Sequence, residues 1–101
     1  MLAEDQTTQL AEIFRLLGDA SRLKITFACL DAPLCVGDIA RATGLSASLV
    51  SHHLRLLRAA RILRAARRGK QIFYSAADRH VSSVLRDMAD HIGEPDARPG
   101  A

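Results

Sequence analysis

The sequence predicts a mainly α-helical domain with one small β-hairpin, and three observations predict it. Apolar residues recur at helical spacing along most of the chain. Leu and Ala, both favourable in helices, dominate the composition, while aromatics are scarce and Trp is absent. The helical period breaks once, around Gly69, where two short strand-like runs flank a turn sequence. At 101 residues the chain has the length of a single domain, with a modest core that a second copy would enlarge.

Leu10, Ile13, Phe14 and Leu17 follow the i, i+3, i+4, i+7 pattern of a first amphipathic helix, which Gly18 ends. Asp19 or Ser21 can cap a second helix running through Arg22, Leu23, Ile25, Phe27 and Leu30, and Asp31-Ala32-Pro33 breaks it. A short third helix spans about 36–43. Gly44 then supplies a turn, and Ser46 can cap a fourth helix over about 47–60. On that helix Val50, Leu54 and Leu57 form an inward stripe, and Ser48, Ser51, His52 and Arg55 form an opposite polar stripe. Residues 62–66 and 71–75 read as strands joined by the turn Arg67-Arg68-Gly69-Lys70, with Gly69 suited to a positive φ. Asp78 caps a fifth helix with the apolar stripe Val81, Val84, Leu85, Met88 and Ile92, ended by Gly93 and Pro95. Residues 1–94 are therefore expected to form one domain, and 95–101 a disordered tail.

The net charge of +3 understates the charge pattern. From Ile39 to Ala77 there is no Asp or Glu, yet that stretch holds Arg41, Arg55, Arg58, Arg61, Arg64, Arg67, Arg68 and Lys70. A basic block between acidic flanks points to a polyanion-binding surface, with double-stranded DNA the first candidate. Two helices joined by a Gly-containing turn, the second polar on its outer face and followed by a basic-tipped hairpin, make a winged helix-turn-helix. Such a second helix fits the major groove, where side chains near its N-terminal end reach base edges. Ser46, Ser48, Ser51 and His52 are the candidates there, and Arg55, one turn later, suits guanine or phosphate. Arg67, Arg68 and Lys70 on the wing suit neighbouring phosphates. His53 falls off the outward stripe and reads as a packed or surface histidine.

Other classes find little support. No apolar run approaches the roughly 18 residues of a membrane span. The N-terminal MLAEDQTTQL lacks a signal-peptide core, so a cytoplasmic protein with no membrane partner is expected. Cys29 and Cys35 stand six apart, match no CxxC motif, and are not expected to form a disulfide in the cytosol. No acid–base constellation or Gly-rich phosphate loop suggests an enzyme.

Several segments resemble one family. The run Leu45-Ser46-Ala47-Ser48-Leu49-Val50-Ser51-His52-His53-Leu54-Arg55-Leu56-Leu57-Arg58 resembles the recognition helix of ArsR/SmtB repressors. Leu17-Gly18-Asp19-Ala20-Ser21-Arg22-Leu23, Leu34-Cys35-Val36-Gly37-Asp38-Ile39-Ala40 and Arg68-Gly69-Lys70-Gln71-Ile72-Phe73-Tyr74-Ser75 resemble that family's second-helix opening, third-helix motif and wing. The resemblance covers roughly residues 9–94. It implies a homodimer, paired through its first and last helices, that represses transcription from an imperfect inverted-repeat operator. Ala47 departs from the pattern, since many members carry a polar residue there. Cys35 and Asp38 match part of a further site used by some members. That site needs Cys or His ligands from the N-terminal arm, and residues 1–28 hold none, so Cys35 reads as a small buried apolar residue, as does Cys29.

The fifth helix carries Asp78, His80, His91 and Glu94 as candidate metal ligands. His80 and His91 lie about three turns apart and point the same way, but eleven residues rise roughly 16 Å. Zinc–nitrogen bonds are near 2 Å, so one ion cannot reach both imidazoles of one helix. Two antiparallel fifth helices would solve this, with Asp78 and His80 of one subunit meeting His91 and Glu94 of the other at two equal sites. The Asp-x-His…His-x-x-Glu spacing also resembles the sensory site of zinc-responsive members. Two imidazoles and two carboxylates favour zinc over softer ions, with cobalt or nickel as alternatives. Glu94 sits where the helix frays, and Asp90 or Asp96 could replace it. By the resemblance, a backbone carbonyl near Arg61 would accept from a ligand imidazole and connect metal to the reading helix. A rival reading keeps DNA binding but substitutes thiol oxidation at Cys29 or Cys35 for metal.

Overall fold

The computed structural model describes residues 1–95, so the tail expected over 95–101 lies outside the described residues except for Pro95. The chain forms α1 (Glu4–Leu17), α2 (Ala20–Ala28), α3 (Val36–Thr43), α4 (Ala47–Ala59), β1 (Leu63–Arg68), β2 (Gln71–Ala76) and α5 (Arg79–Gly93). Five helices and a hairpin are what the sequence predicts, in the predicted order. Among the described residues, no helix is long and apolar enough to cross a membrane.

Local chemistry sets the helix ends. Glu4 and Asp5 in the first turn of α1 and Arg15 in the last complement the helix dipole. Asp19, not Ser21, caps α2: its carboxylate accepts from the Arg22 N–H at 3.0 Å. This helix stops at Ala28, short of the expected Leu30. Cys29 N–H and Leu30 N–H donate instead to Thr26 and Phe27 carbonyls in tight i→i+3 turns. The Arg86 guanidinium of α5 then bonds the Leu30 carbonyl at 3.1 Å and the Asp31 carboxylate at 3.0 Å, satisfying a helix-end acceptor.

Between α3 and α4, Gly44 takes φ +76°, the left-handed conformation that closes a helix without a Cβ penalty. The Ser46 hydroxyl accepts from Leu49 N–H at 3.1 Å and starts α4. The core joins all the early elements: Leu16, Ile25, Cys29, Ile39, Val50, Leu54, Leu57, Ile62 and Leu63 are buried together.

Past Ala60, α4 ends in a Schellman motif. Arg61 N–H donates to the Arg58 carbonyl at 3.0 Å and Ile62 N–H to the Leu57 carbonyl at 2.9 Å. The left-handed residue is Arg61 itself, at φ +59°, where Gly is the usual occupant.

The hairpin is longer than the sequence suggests. Pairing runs from Leu63↔Ala76 to Arg68↔Gln71, so the expected four-residue turn shrinks to Gly69-Lys70 and both arginines stay in β1. Gly69 at φ +63° occupies the first position of a two-residue turn, which matches the strand twist and lets the ladder continue. A third chain segment joins the sheet unexpectedly. Leu34 and Tyr74 exchange two backbone hydrogen bonds, at 3.0 and 2.8 Å, tying the loop before α3 to the outer edge of β2.

Arg61 provides a stability test. Arg61→Gly removes the Cβ strain of the left-handed position, worth roughly 1–2 kcal/mol, against the greater freedom of Gly in the unfolded chain, roughly 0.5–1 kcal/mol. Urea unfolding of the variant is expected to give equal or higher stability, by up to about 1.5 kcal/mol.

Candidate functional site

Val50, Leu54 and Leu57 anchor α4 in the core with almost no exposure. Geometry then forces Ser48, Ser51, His52 and Arg55 outward, and all four are exposed. Ser46 is exposed as well, with its hydroxyl oxygen engaged as the helix cap. On the wing, Arg67 and Lys70 are exposed. The Arg68 guanidinium lies 5.3 Å from the centroid of the Phe73 ring, a cation–π contact that steadies its position at the hairpin end. The sequence-predicted polar stripe and basic wing thus occupy open surface on adjacent elements.

His53, by contrast, is packed. It is 7% exposed, its ring centroid is 5.6 Å from that of His52, and its Nδ1 has no hydrogen-bond partner among the described residues. Burial lowers its pKa from the ordinary imidazole value; Asp19 opposes that shift, while Arg22 and His52 reinforce it.

The four candidate metal ligands lie at the two ends of α5. Asp78 caps the helix, one carboxylate oxygen accepting from Val81 N–H at 3.1 Å. His80, His91 and Glu94 are exposed, and Glu94 is the C-terminal capping residue. Among the described residues of one chain, no three His, Cys, Asp or Glu side chains are grouped to hold an ion. Only Leu85 of the α5 stripe is buried, with Val81 packed partly against the core. Val84, Met88 and Ile92 are 52%, 53% and 80% exposed, and on α1 Phe14 is 59% exposed, so apolar faces of both helices stand open to water.

The cysteines differ from each other. Cys29 is buried, and burial pushes its thiol up to about 12, which makes it a poor target for oxidants. Cys35 is not the buried apolar residue expected. It is half-buried at the N-cap of α3, and its thiol donates to the Asp38 carboxylate at 3.2 Å. That hydrogen bond, followed by the one from Arg41, holds Asp38 below the usual carboxylate range.

Comparisons with known proteins bear on this arrangement. Residues 19–65 match the family model described as bacterial regulatory protein, arsR family. The chain is 44% identical over 96 residues to a transcriptional repressor SmtB homolog from Synechocystis sp., covering 95% of this chain and 73% of that protein. It is 36% identical over 91 residues to a cadmium resistance transcriptional regulatory protein CadC homolog from Staphylococcus aureus, covering 89% and 75%. In fold it is similar to the homodimeric winged helix-turn-helix DNA-binding domain of a possible ArsR-family regulator from Mycobacterium bovis. That match has a TM-score of 0.81 at 20% identity and covers 100% of this chain and 95% of that one.

The packed imidazole has a consequence for acid stability. The native pKa of His53 lies below its unfolded value, so the unfolded chain takes up the proton first. Stability is unaffected by this group well above about pH 6.5 and falls as pH drops through that value. Urea unfolding at about pH 7.5 and pH 5.5 is expected to show a smaller acid-induced loss in His53→Gln than in the wild type.

Proposed function

The chain belongs to the bacterial ArsR family of regulatory proteins, and from that premise we propose a homodimeric repressor that releases operator DNA when zinc or a similar divalent ion binds between its subunits. It is a DNA-binding regulator of transcription, not an enzyme. Its place of action is the cytoplasm. The observation that carries the proposal is on α5, where an exposed apolar stripe runs between exposed imidazoles at the helix ends.

The donor set fits a divalent ion. Asp78 and His80 of one protomer and His91 and Glu94 of its partner would hold it, with Val84, Met88 and Ile92 packed at the helix–helix contact. Two imidazoles and two carboxylates suit zinc, and accommodate cobalt or nickel, better than ions that prefer thiolates. Zinc, when bound, would cross-link the two subunits through these side chains. Asp78 can serve while still capping α5, because only one of its oxygens is engaged by Val81. The imidazoles must be deprotonated to act as ligands, so affinity falls in acid. The names of the SmtB and CadC homologs support a repressor that responds to metal.

For DNA, Ser48, Ser51 and His52 on α4 would meet base edges, with Ser46 at the helix start and Arg55 one turn on. Arg67, Arg68 and Lys70 would hold phosphates beside them. Coupling is reciprocal: if metal weakens DNA binding, DNA weakens metal binding by the same factor. The route from α5 to the reading helix would run through a ligand imidazole donating to a backbone carbonyl near Arg61.

Subunit mixing tests the shared site. His80→Ala and His91→Ala are each expected to lose high-affinity zinc binding while retaining DNA binding, and their DNA complexes persist when zinc is added. When the two variants are mixed and allowed to exchange, each heterodimer regains one intact site, restoring roughly a quarter of the wild-type zinc capacity. Chelator-competition titration reads that recovery. No recovery in verified heterodimers rejects the shared site.

A further inference from the structure

An open cleft of about 470 Å³ separates α4 from the hairpin, lined by Ser51, Leu54, Arg55, Arg58, Ala59 and Tyr74. Clefts of roughly 300–1,000 Å³ that bind small molecules are mostly apolar. This one is mixed: two exposed guanidiniums and two hydroxyls stand beside the buried Leu54 and the exposed Ala59. Neither Arg55 nor Arg58 pairs with a carboxylate among the described residues, where the ion pairs are those of Arg15, Arg41 and Arg86. No acidic residue occurs between Ile39 and Ala77 to compete for them. The charge at the cleft mouth is therefore positive and uncompensated, which suits an anion.

Topology says which anion. With α4 in the major groove and the hairpin tip over the adjacent minor groove, the strand dividing those grooves must pass between helix and wing. We propose that this cleft is a seat for one sugar–phosphate strand of double-stranded DNA, with Arg58 and Tyr74 as phosphate-binding residues. This rests on the DNA-binding reading above and adds two residues: Arg58, which continues the Ser51–Arg55 edge of α4 by one turn, and Tyr74 on β2, away from the wing tip. Ser51 and Arg55, i and i+4 on the same helix, border both surfaces, so base reading and strand seating share an edge. Phosphate contacts carry no sequence information. The seat therefore sets register and affinity on any duplex.

A random-sequence duplex of about 30 base pairs is a sufficient probe, because the contact is to backbone. Fluorescence anisotropy over a salt series gives the slope of log K against log salt, which reports phosphates neutralised. Arg58→Ala is expected to weaken binding and to reduce that slope by about 1, with Arg58→Lys restoring it. Tyr74→Phe is expected to weaken binding with the slope retained. Lys24→Ala, which removes the same charge from the exposed surface of α2, is expected to leave the slope intact. Arg58 is exposed, so circular dichroism should report an unchanged fold for Arg58→Ala. Wild-type binding with an unchanged slope in Arg58→Ala overturns the seat alone, as does an equal slope change in Lys24→Ala. A wild-type chain that binds no duplex overturns the DNA-binding reading and the seat with it.

Discussion

Burial of one face of α4 is the constraint on which the rest of the molecule depends. Val50, Leu54 and Leu57 are almost wholly excluded from water. Each such side chain contributes roughly 1.5–3 kcal/mol by leaving water. Turning the helix about its axis would forfeit that and drive Arg55 or His52 toward the core, where an unpaired charge is costly. The outward stripe is therefore aimed by the hydrophobic effect rather than by any polar contact of its own. Ile62 and Leu63, buried just past the helix, extend the same restraint to the root of the hairpin.

Features governed by local chemistry were legible in the sequence. The end of α3 and the start of α4 follow from Gly44 and Ser46, whose roles depend only on near neighbours. The α5 cap at Asp78 is of the same kind. Features decided by distant partners were not legible. Arg67 and Arg68 look like turn residues until the ladder with Gln71 and Ile72 is seen. Leu34 forms a bridge of one residue, too short to show a period. Arg61 holds a position where a glycine would have been the visible signal. The α1 period identified an apolar face of which Ile13 and Leu17 pack partly on the core beside the buried Leu16, while Leu10 and Phe14 stay exposed. The candidate ligands on α5 were readable only as residue types and spacings. That one helix cannot bring its own imidazoles together was readable from helix rise alone.

α5 is attached asymmetrically. Val81 and Leu85 pack inward, and Arg86 grips the end of α2, so the first half of the helix is joined to the reading head. The second half carries Met88 and Ile92 in the open. Contiguous apolar surface of this sort is uncommon on a solitary soluble domain. Whatever covers it acts on the free end of a lever whose other end is fixed beside the hairpin and α2.

The bridge between Leu34 and Tyr74 has a further consequence. A sheet edge with free backbone donors and acceptors is a template for stacking against other chains, and proteins blunt such edges with cover or charge. Here both devices operate, one per side. Leu34 occupies part of the β2 edge, and the β1 edge carries Arg64, Arg67 and Arg68. Two copies of that arginine-rich edge repel each other. The guanidiniums suited to nucleic acid are thus also a guard against aggregation, and neutralising them to suppress one behaviour would expose the chain to the other.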